Sequence, residues 1–181
     1  GLGDLGRPNG FHERQVQRWS SQLSSYQGRE LPGIDEVMIW LQGHLPGSFI
    51  PTIMHGDFHM TNVLIARDRP GRVLAILDWE TTTIGDPLLD LAGFCEIWCS
   101  VAGDGFPGRD ALVERYATVR DLADLDDLDY YNVLYNFRMA VLLEGIYQRS
   151  LVDLSRPAQE LVGERALFNL RRAVELTQAG M

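Results

Sequence analysis

A β-hairpin predicted in the first half of the chain constrains fold and function more than any other feature of the sequence. Two alternating apolar segments, Val63–Ala66 and Val73–Leu77, flank residues 67–71, which include Pro and Gly. Strand-forming runs separated by such a turn predict a hairpin. It would bring Asp78, at the end of the second strand, back against Asn62, just before the first.

These polar side chains could form a metal and proton-transfer site. The Asp78 carboxylate and the Asn62 amide oxygen are hard ligands that could share a magnesium ion with nucleotide phosphates. Asp57, five residues before Asn62, is then left as a base within about 3 Å of a substrate hydroxyl. Asp, Asn and Gly also favour turns on backbone grounds alone. The interpretation therefore depends on all three residues in order, not on any one of them.

The order of these motifs resembles the aminoglycoside phosphotransferase and choline kinase-like superfamily. Two upstream stretches, Leu2–Pro8 and Gln15–Trp19, are more specifically similar to the kinase-like domain of long acyl-CoA dehydrogenases. The motifs that carry the superfamily resemblance are His55-Gly56-Asp57, Asn62, Asp78-Trp79-Glu80, Gly85-Asp86-Pro87 and Asp90-Leu91-Ala92.

The resemblance implies an ATP-dependent small-molecule kinase that uses Mg²⁺ and phosphorylates a hydroxyl. By the resemblance, Asp57 is the catalytic base, and Asn62 and Asp78 are the magnesium ligands. Asp90 would brace the catalytic loop, and His55 would orient it through hydrogen bonds of its ring. The dehydrogenase-linked relatives favour a hydroxy acid or hydroxyacyl thioester as the small-molecule substrate over an aminoglycoside.

Three further residues are expected to support this site. His59 matches a position where antibiotic kinases often carry a second His, whereas the dehydrogenase-linked relatives tend to have a basic residue there. Glu80 either reaches the metal through water or is an exposed residue at a strand end. Asp86 precedes Pro87 in a turn that opens a helix, where a carboxylate can cap free backbone N–H groups.

The predicted fold class is α+β and mainly helical: a protein kinase-like carboxy-terminal lobe in which a small β-hairpin carries the catalytic and metal-binding loops. Apolar periodicity and turn residues define the surrounding helices. They are predicted at residues 12–26, 34–45, 88–100, 109–120, 128–150 and 158–178.

Residues 1–181 are expected to form a single carboxy-terminal lobe and one compact unit. The same family implies an amino-terminal nucleotide lobe with a glycine-rich loop and a Lys, and neither is found here: all sixteen basic side chains are Arg. The chain is therefore interpreted as a fragment, inactive by itself, whose partner is the missing lobe. It could also self-associate through the exposed inter-lobe face.

Charge and hydropathy narrow the range of partners. A net charge of −9 argues against nucleic acid and anionic membranes, which select for clustered positive charge. No apolar stretch approaches the ~20 residues of a membrane span, and no signal-peptide pattern opens the chain. A cytoplasmic location is expected, with Cys95 and Cys99 as buried free thiols.

Two other functional classes remain open from the residues alone. On a strand, His55, Asp57 and His59 would point to one face and could form a metallohydrolase site, with Asp78, Asp86 and Asp90 available to complete it. Alternatively, the chain could be a non-catalytic, pseudokinase-like binding module.

Overall fold

A computed structural model describes residues 5–26, 28–69, 71–123, 125, 127–153, 155 and 157–179. The chain divides into two compact units: one comprises Gly1–Asn9 and Ser48–Leu128, the other Gly10–Gly47 and Asp129–Met181. The helices of the described residues are α1 (Phe11–Ser24), α2 (Ile34–Gly43), α3 (Leu88–Val101), α4 (Arg109–Arg120), α5 (Leu128–Val152) and α6 (Glu160–Ala179). The strands are β1 (Thr52–Met54), β2 (Val63–Ile65), β3 (Val73–Ile76) and β4 (Thr83–Gly85).

The predicted hairpin is present in the first unit. Strands β2 and β3 are antiparallel, with Val63 opposite Ile76, and a register irregularity follows Leu64. Single 3₁₀ turns, Met60–Asn62 and Trp79–Thr81, lie at the open end of the hairpin. This end of the hairpin therefore holds three of the predicted site residues, Asn62, Asp78 and Glu80.

A second antiparallel pair was not predicted. Strand β4 pairs with β1, so that Thr52 lies opposite Gly85. Its three residues, Thr83-Ile84-Gly85, include one large apolar side chain and end in Gly, so they show no apolar run or alternation that would predict a strand. This pairing ties the strand before the His55 loop to the segment that leads into α3.

The second unit is helical and has an apolar core. Helix α2 packs against α1 and α6. Helix α5 supplies many of the buried side chains, including Tyr131, Phe137 and Val141. Two polar contacts accompany this core: the His12 ring bonds to the Tyr131 hydroxyl at 2.5 Å, and the partly exposed Arg29 pairs with buried Glu144 at 3.0 Å. A buried acid needs such a partner, because an unpaired charge is costly to desolvate.

The fold class is confirmed: the structure is mainly helical with small antiparallel sheets. Each predicted helix is present, and no helix start or end differs from its predicted position by more than two residues. The expectation for the thiols was half wrong, because Cys95 is buried but Cys99 is exposed. No helix in the described ranges is long and apolar enough to cross a bilayer. That the chain is one carboxy-terminal lobe stays a prediction.

Candidate active site

The loop that follows β1 begins with a close approach of two backbone segments. Gly56 has φ +82°, and a Cβ at this position would lie 2.6 Å from the Thr81 carbonyl oxygen. Only glycine fits this combination of left-handed backbone and close contact. The Thr81 hydroxyl donates to the His55 carbonyl at 2.9 Å. This hydrogen bond holds the loop against the turn after β3, next to the close approach at Gly56.

Asp90 binds the backbone of the same loop from α3. Its carboxylate accepts the N–H of His55 at 2.5 Å and the N–H of Gly56 at 2.8 Å, one on each oxygen. Hydrogen bonds to an ionised carboxylate are about twice as strong as neutral ones. A residue that braces this loop, as was predicted for Asp90, would need to bind the loop backbone in this way.

The His55 ring is buried and links the loop to β3. Its Nε2 lies 2.7 Å from the Leu77 carbonyl oxygen, and the Asp57 N–H donates to Nδ1 at 3.3 Å. A carbonyl can only accept and a backbone N–H can only donate, so the neutral tautomer with the proton on Nε2 satisfies both contacts. The ring therefore fixes the backbone N–H of Asp57 relative to the end of β3, as an orienting residue would.

Asp57 itself presents its carboxylate toward solvent. Its side chain is 43% exposed, and His59 Nε2 lies 3.5 Å from Oδ2. The other ring nitrogen of His59 lies 2.8 Å from the Thr61 hydroxyl. A substrate could therefore reach the acid that was predicted to be the base, and His59 contacts that acid directly.

The backbone at the open end of the hairpin brings Asn62 close to the start of the Asp78 turn. The Leu77 N–H donates to the Asn62 carbonyl at 2.8 Å, which brings the residue after Leu77 next to Asn62. The Asn62 side-chain nitrogen donates to the Asp57 carbonyl at 3.0 Å. With its nitrogen turned toward the loop, the amide oxygen is the atom that can face a cation.

Asp78 has a left-handed backbone, with φ 64° and ψ 58°, and its carboxylate does not cap the turn that follows. A non-glycine residue in this region is uncommon and is often associated with function. An exposed carboxylate and an amide oxygen are hard-oxygen donors of the kind that Mg²⁺ prefers when protein and phosphates bind it jointly.

Asp86 and Glu80 lie in different environments. Asp86 is only 3% exposed, and its Oδ1 accepts the Leu88 N–H at 3.0 Å, as expected for a residue that opens α3. Glu80 is exposed in the 3₁₀ turn after Asp78.

Burial raises the pKa of the nearby Tyr116 hydroxyl, and the negative charges of Asp86 and Asp90 raise it further against the opposing effect of Arg120.

The metallohydrolase arrangement is not supported. Strand β1 ends at Met54, and residues 55–59 form a loop, so His55, Asp57 and His59 do not alternate on one strand face. Among the residues that the structure describes, no group of three or more His, Cys, Asp or Glu side chains could hold a metal ion.

Sequence reasoning missed contacts that depend on tertiary proximity. Thr81 was not singled out, although it holds the loop at His55. Trp79 was noted only as part of a motif; its ring lies 4.8 Å from the His55 ring, and its indole N–H donates to the Ile76 carbonyl at 2.7 Å. Neither residue carries a sequence signal that would distinguish it from a turn residue.

Comparison with known proteins identifies the family and the fold of the chain. The model of the phosphotransferase enzyme family matches residues 1–143. The chain therefore belongs to that family.

Several curated proteins and solved structures are similar to the chain. Acyl-CoA dehydrogenase family member 10 of Mus musculus is 31% identical over an alignment of 171 positions that covers 87% of this chain and 16% of that protein. Human acyl-CoA dehydrogenase family member 11 is 30% identical over an alignment of 157 positions that covers 79% of this chain and 20% of that protein. The chain thus spans about a fifth or less of the length of these relatives.

Two structural neighbours share the fold. A protein of Ralstonia eutropha JMP134, provisionally named an aminoglycoside phosphotransferase, matches with a TM-score of 0.89 and 29% identity over 99% of this chain and 59% of that chain. A choline/ethanolamine kinase family protein of Mesorhizobium loti matches with a TM-score of 0.62 over 99% of this chain and 62% of that chain. At 14% identity, the second comparison shows the fold alone.

Proposed function

We propose that this chain carries the catalytic loop of an ATP-dependent phosphotransferase that phosphorylates a hydroxyl of a small molecule. The observation that carries the proposal is the link from the hairpin to the loop: Asn62 bonds to the backbone of Leu77, the residue before Asp78, and its side chain bonds to the backbone of Asp57, whose carboxylate is accessible to solvent. Phosphoryl transfer depends mainly on positioning and charge neutralisation. One base and two oxygen ligands held on a braced loop provide both.

In the proposed reaction, Asp57 accepts the proton of the acceptor hydroxyl while the hydroxyl oxygen bonds to the γ-phosphorus of ATP, and the bond from that phosphorus to the β,γ-bridging oxygen breaks to release ADP. Asn62 and Asp78 would hold Mg²⁺, which neutralises charge on the phosphates. His55 and Asp90 act on the loop backbone and orient Asp57, and the His59 ring lies beside its carboxylate. Asp86 has a structural role at the start of α3.

For the acceptor, we propose a hydroxy acid or a hydroxyacyl thioester. This assignment is supported by similarity to proteins named acyl-CoA dehydrogenase family members 10 and 11. In each of these proteins, the segment that is similar to the chain makes up only a small part of the protein.

We further propose that an amino-terminal lobe completes the nucleotide cleft. The hairpin exposes apolar side chains on its two faces, which another protein surface would be expected to cover at least in part. Its half-exposed side chains are Leu64, Ile65, Val73, Leu74 and Leu77. Self-association through the same surface is the alternative when no lobe is present.

Paired substitutions in the full-length protein test this function. Asp57→Asn keeps the size of the side chain but loses the proton acceptor, so we expect turnover to fall by about 10²–10⁴-fold with nucleotide binding nearly unchanged. Asp78→Ala removes a metal ligand, so we expect a higher magnesium requirement and weaker binding of ATP·Mg as well.

Asp110→Asn, an exposed acid in the first turn of α4, is the matched control and should match the parent in both assays. Parental turnover in Asp57→Asn would remove Asp57 from its role. An unchanged magnesium titration in Asp78→Ala would show that the metal assignment is wrong.

A further inference from the structure

A row of stacked aromatic side chains leads from the Asp57 loop to the loop between α3 and α4. Phe58, the residue after Asp57, stacks on Phe94 at a ring-centroid distance of 5.5 Å and an interplanar angle of 26°. Phe94 stacks on Trp98 at 5.9 Å and 17°, and Trp98 meets the edge of Phe106 at 5.6 Å and 80°. These are the separations and geometries that favourable aromatic pairs adopt.

The row lies on one stripe of α3 together with Asp90. Asp90, Phe94 and Trp98 are four residues apart in sequence, so they lie one above another on the same side of the helix. Asp90 holds the loop before Asp57 through the backbone N–H groups of His55 and Gly56. Phe94 contacts the loop after Asp57, through the ring of Phe58. One helix therefore grips the loop on both sides of the base.

The outer end of the row is itself fixed. The Trp98 indole N–H donates to the Pro107 carbonyl at 2.8 Å. Arg109, at the start of α4, pairs with Glu96 of α3 at 3.0 Å. Phe106 is nevertheless 63% exposed, so its edge contact with Trp98 is made at the protein surface. The Trp98 ring is thus held from the loop side as well as from α3.

Asp57 depends on its backbone for its position. The contact of its carboxylate with His59, at 3.5 Å, is too long to fix a rotamer by itself. The placement of the carboxylate is therefore set by where the loop backbone lies. A displacement of about 1 Å in a reacting group can cost about 10²-fold in rate, so a residue that fixes this backbone affects turnover without contacting substrate.

We propose that Trp98 is a positioning residue for Asp57, which acts through Phe94 and Phe58 and couples the loop between α3 and α4 to the catalytic loop. The coupling itself is a property of the first unit. Its effect on turnover rests on the proposed phosphotransferase function.

Hydrogen exchange tests the coupling without any assumption about the reaction. In the full-length protein, Trp98→Leu should speed exchange of the backbone amides of residues 55–58 at least tenfold, because the apolar grip on Phe58 is loosened. Trp98→Phe keeps a stacking ring and should restore most of the protection. Phe168→Leu is the control: Phe168 is an aromatic of α6, 53% exposed, and its replacement should leave these amides unchanged.

Steady-state kinetics with ATP·Mg and a hydroxy acid as the acceptor, with ADP release as the readout, tests the effect on turnover. Trp98→Leu should lower kcat tenfold or more with KM for ATP within twofold of the parent, and Trp98→Phe should recover activity. Phe106→Ala removes one surface contact and should act in the same direction with a smaller effect, which protects the test against misfolding of the Leu variant.

The outcomes separate the two ideas. Unchanged exchange at residues 55–58 in both Trp98→Leu and Phe106→Ala would overturn the proposal, and so would faster exchange with parental kcat. If the parent protein releases no ADP while the exchange pattern is as expected, the phosphotransferase function fails and the coupling stands.

Discussion

Replacement of Asp90 should be the most destabilising change at the site that leaves every proposed substrate contact in place. Both carboxylate oxygens bind backbone N–H groups, at 2.5 Å to His55 and 2.8 Å to Gly56. A hydrogen bond to a charged group contributes about 1.5–3 kcal/mol. Because water can reach part of this loop, we take the lower value for each bond. Loss of both in Asp90→Ala then costs about 3 kcal/mol.

Asp90→Asn should cost about half as much. The amide keeps one acceptor oxygen but turns an NH₂ group, a donor, toward the other backbone N–H. For a chain of this size, 1 kcal/mol corresponds to about 2–4 °C in Tm. We therefore expect a fall of about 6–12 °C for the Ala variant and about 3–6 °C for the Asn variant.

Differential scanning calorimetry at neutral pH would measure these shifts. Asp110→Ala is the matched control, because Asp110 is also an acid in the first turn of a helix but is exposed. Its Tm should fall by no more than about 2 °C, since surface changes usually stay within about 0.5 kcal/mol. If Asp90→Ala is no less stable than Asp110→Ala, the two hydrogen bonds do not hold the loop, and the bracing role is refuted.

Three further predictions concern the helix start, the thiols and the nucleotide. Asp86→Ala removes the acceptor for the Leu88 N–H and should cost about 0.5–2 kcal/mol; its Tm should therefore fall more than its magnesium requirement changes, and the reverse order would make Asp86 a ligand. Burial raises the pKa of Cys95 to about 11, so the native fold favours the neutral thiol, and this contribution to stability is lost as pH rises from about 9 through 11. At pH 8, iodoacetamide should label exposed Cys99 in the native protein and both thiols only after denaturation, as read by mass spectrometry; native labelling of Cys95 would contradict its burial. Calorimetry should show that the 181-residue chain alone binds ATP·Mg no tighter than about 1 mM, about −4 kcal/mol, and light scattering should show association; micromolar binding by a monomer would contradict the fragment interpretation.

Local patterns in the sequence predicted much of the fold. The hairpin between Val63 and Leu77 follows from strand-forming runs around a Pro/Gly turn, and the helices follow from apolar periodicity. Strand β4 could not be predicted, because a three-residue strand exists only through its pairing with β1. Chain length alone predicted one compact unit and could not show that the contacts divide into two.

The candidate site was predictable in composition but not in its supporting contacts. The spacing of Asp57, Asn62 and Asp78 is a property of the sequence, and the hairpin alone is enough to bring the last two together. The contact of Thr81 with His55 and the stacking of Phe94 on Phe58 join residues 26 and 36 positions apart. Such contacts depend on how α3 and the 3₁₀ turns lie against the loop, which no local pattern encodes.

The strained backbone of Asp78 gives a direct measure of what function requires at this position. A left-handed residue with a side chain costs about 1–2 kcal/mol, and glycine avoids that cost but loses about 0.5–1 kcal/mol in chain entropy. Asp78→Gly and Asp78→Ala both lack the carboxylate. The difference between their free energies of unfolding therefore reports the backbone cost at this position and not the loss of the carboxylate. We expect the Gly variant to be more stable by about 0.5–1 kcal/mol in urea denaturation, although both variants should lose the magnesium site. Equal stabilities would show that the turn is not strained. A more stable Gly variant without magnesium dependence would mean that the carboxylate is kept at position 78 for the metal and at the expense of the fold.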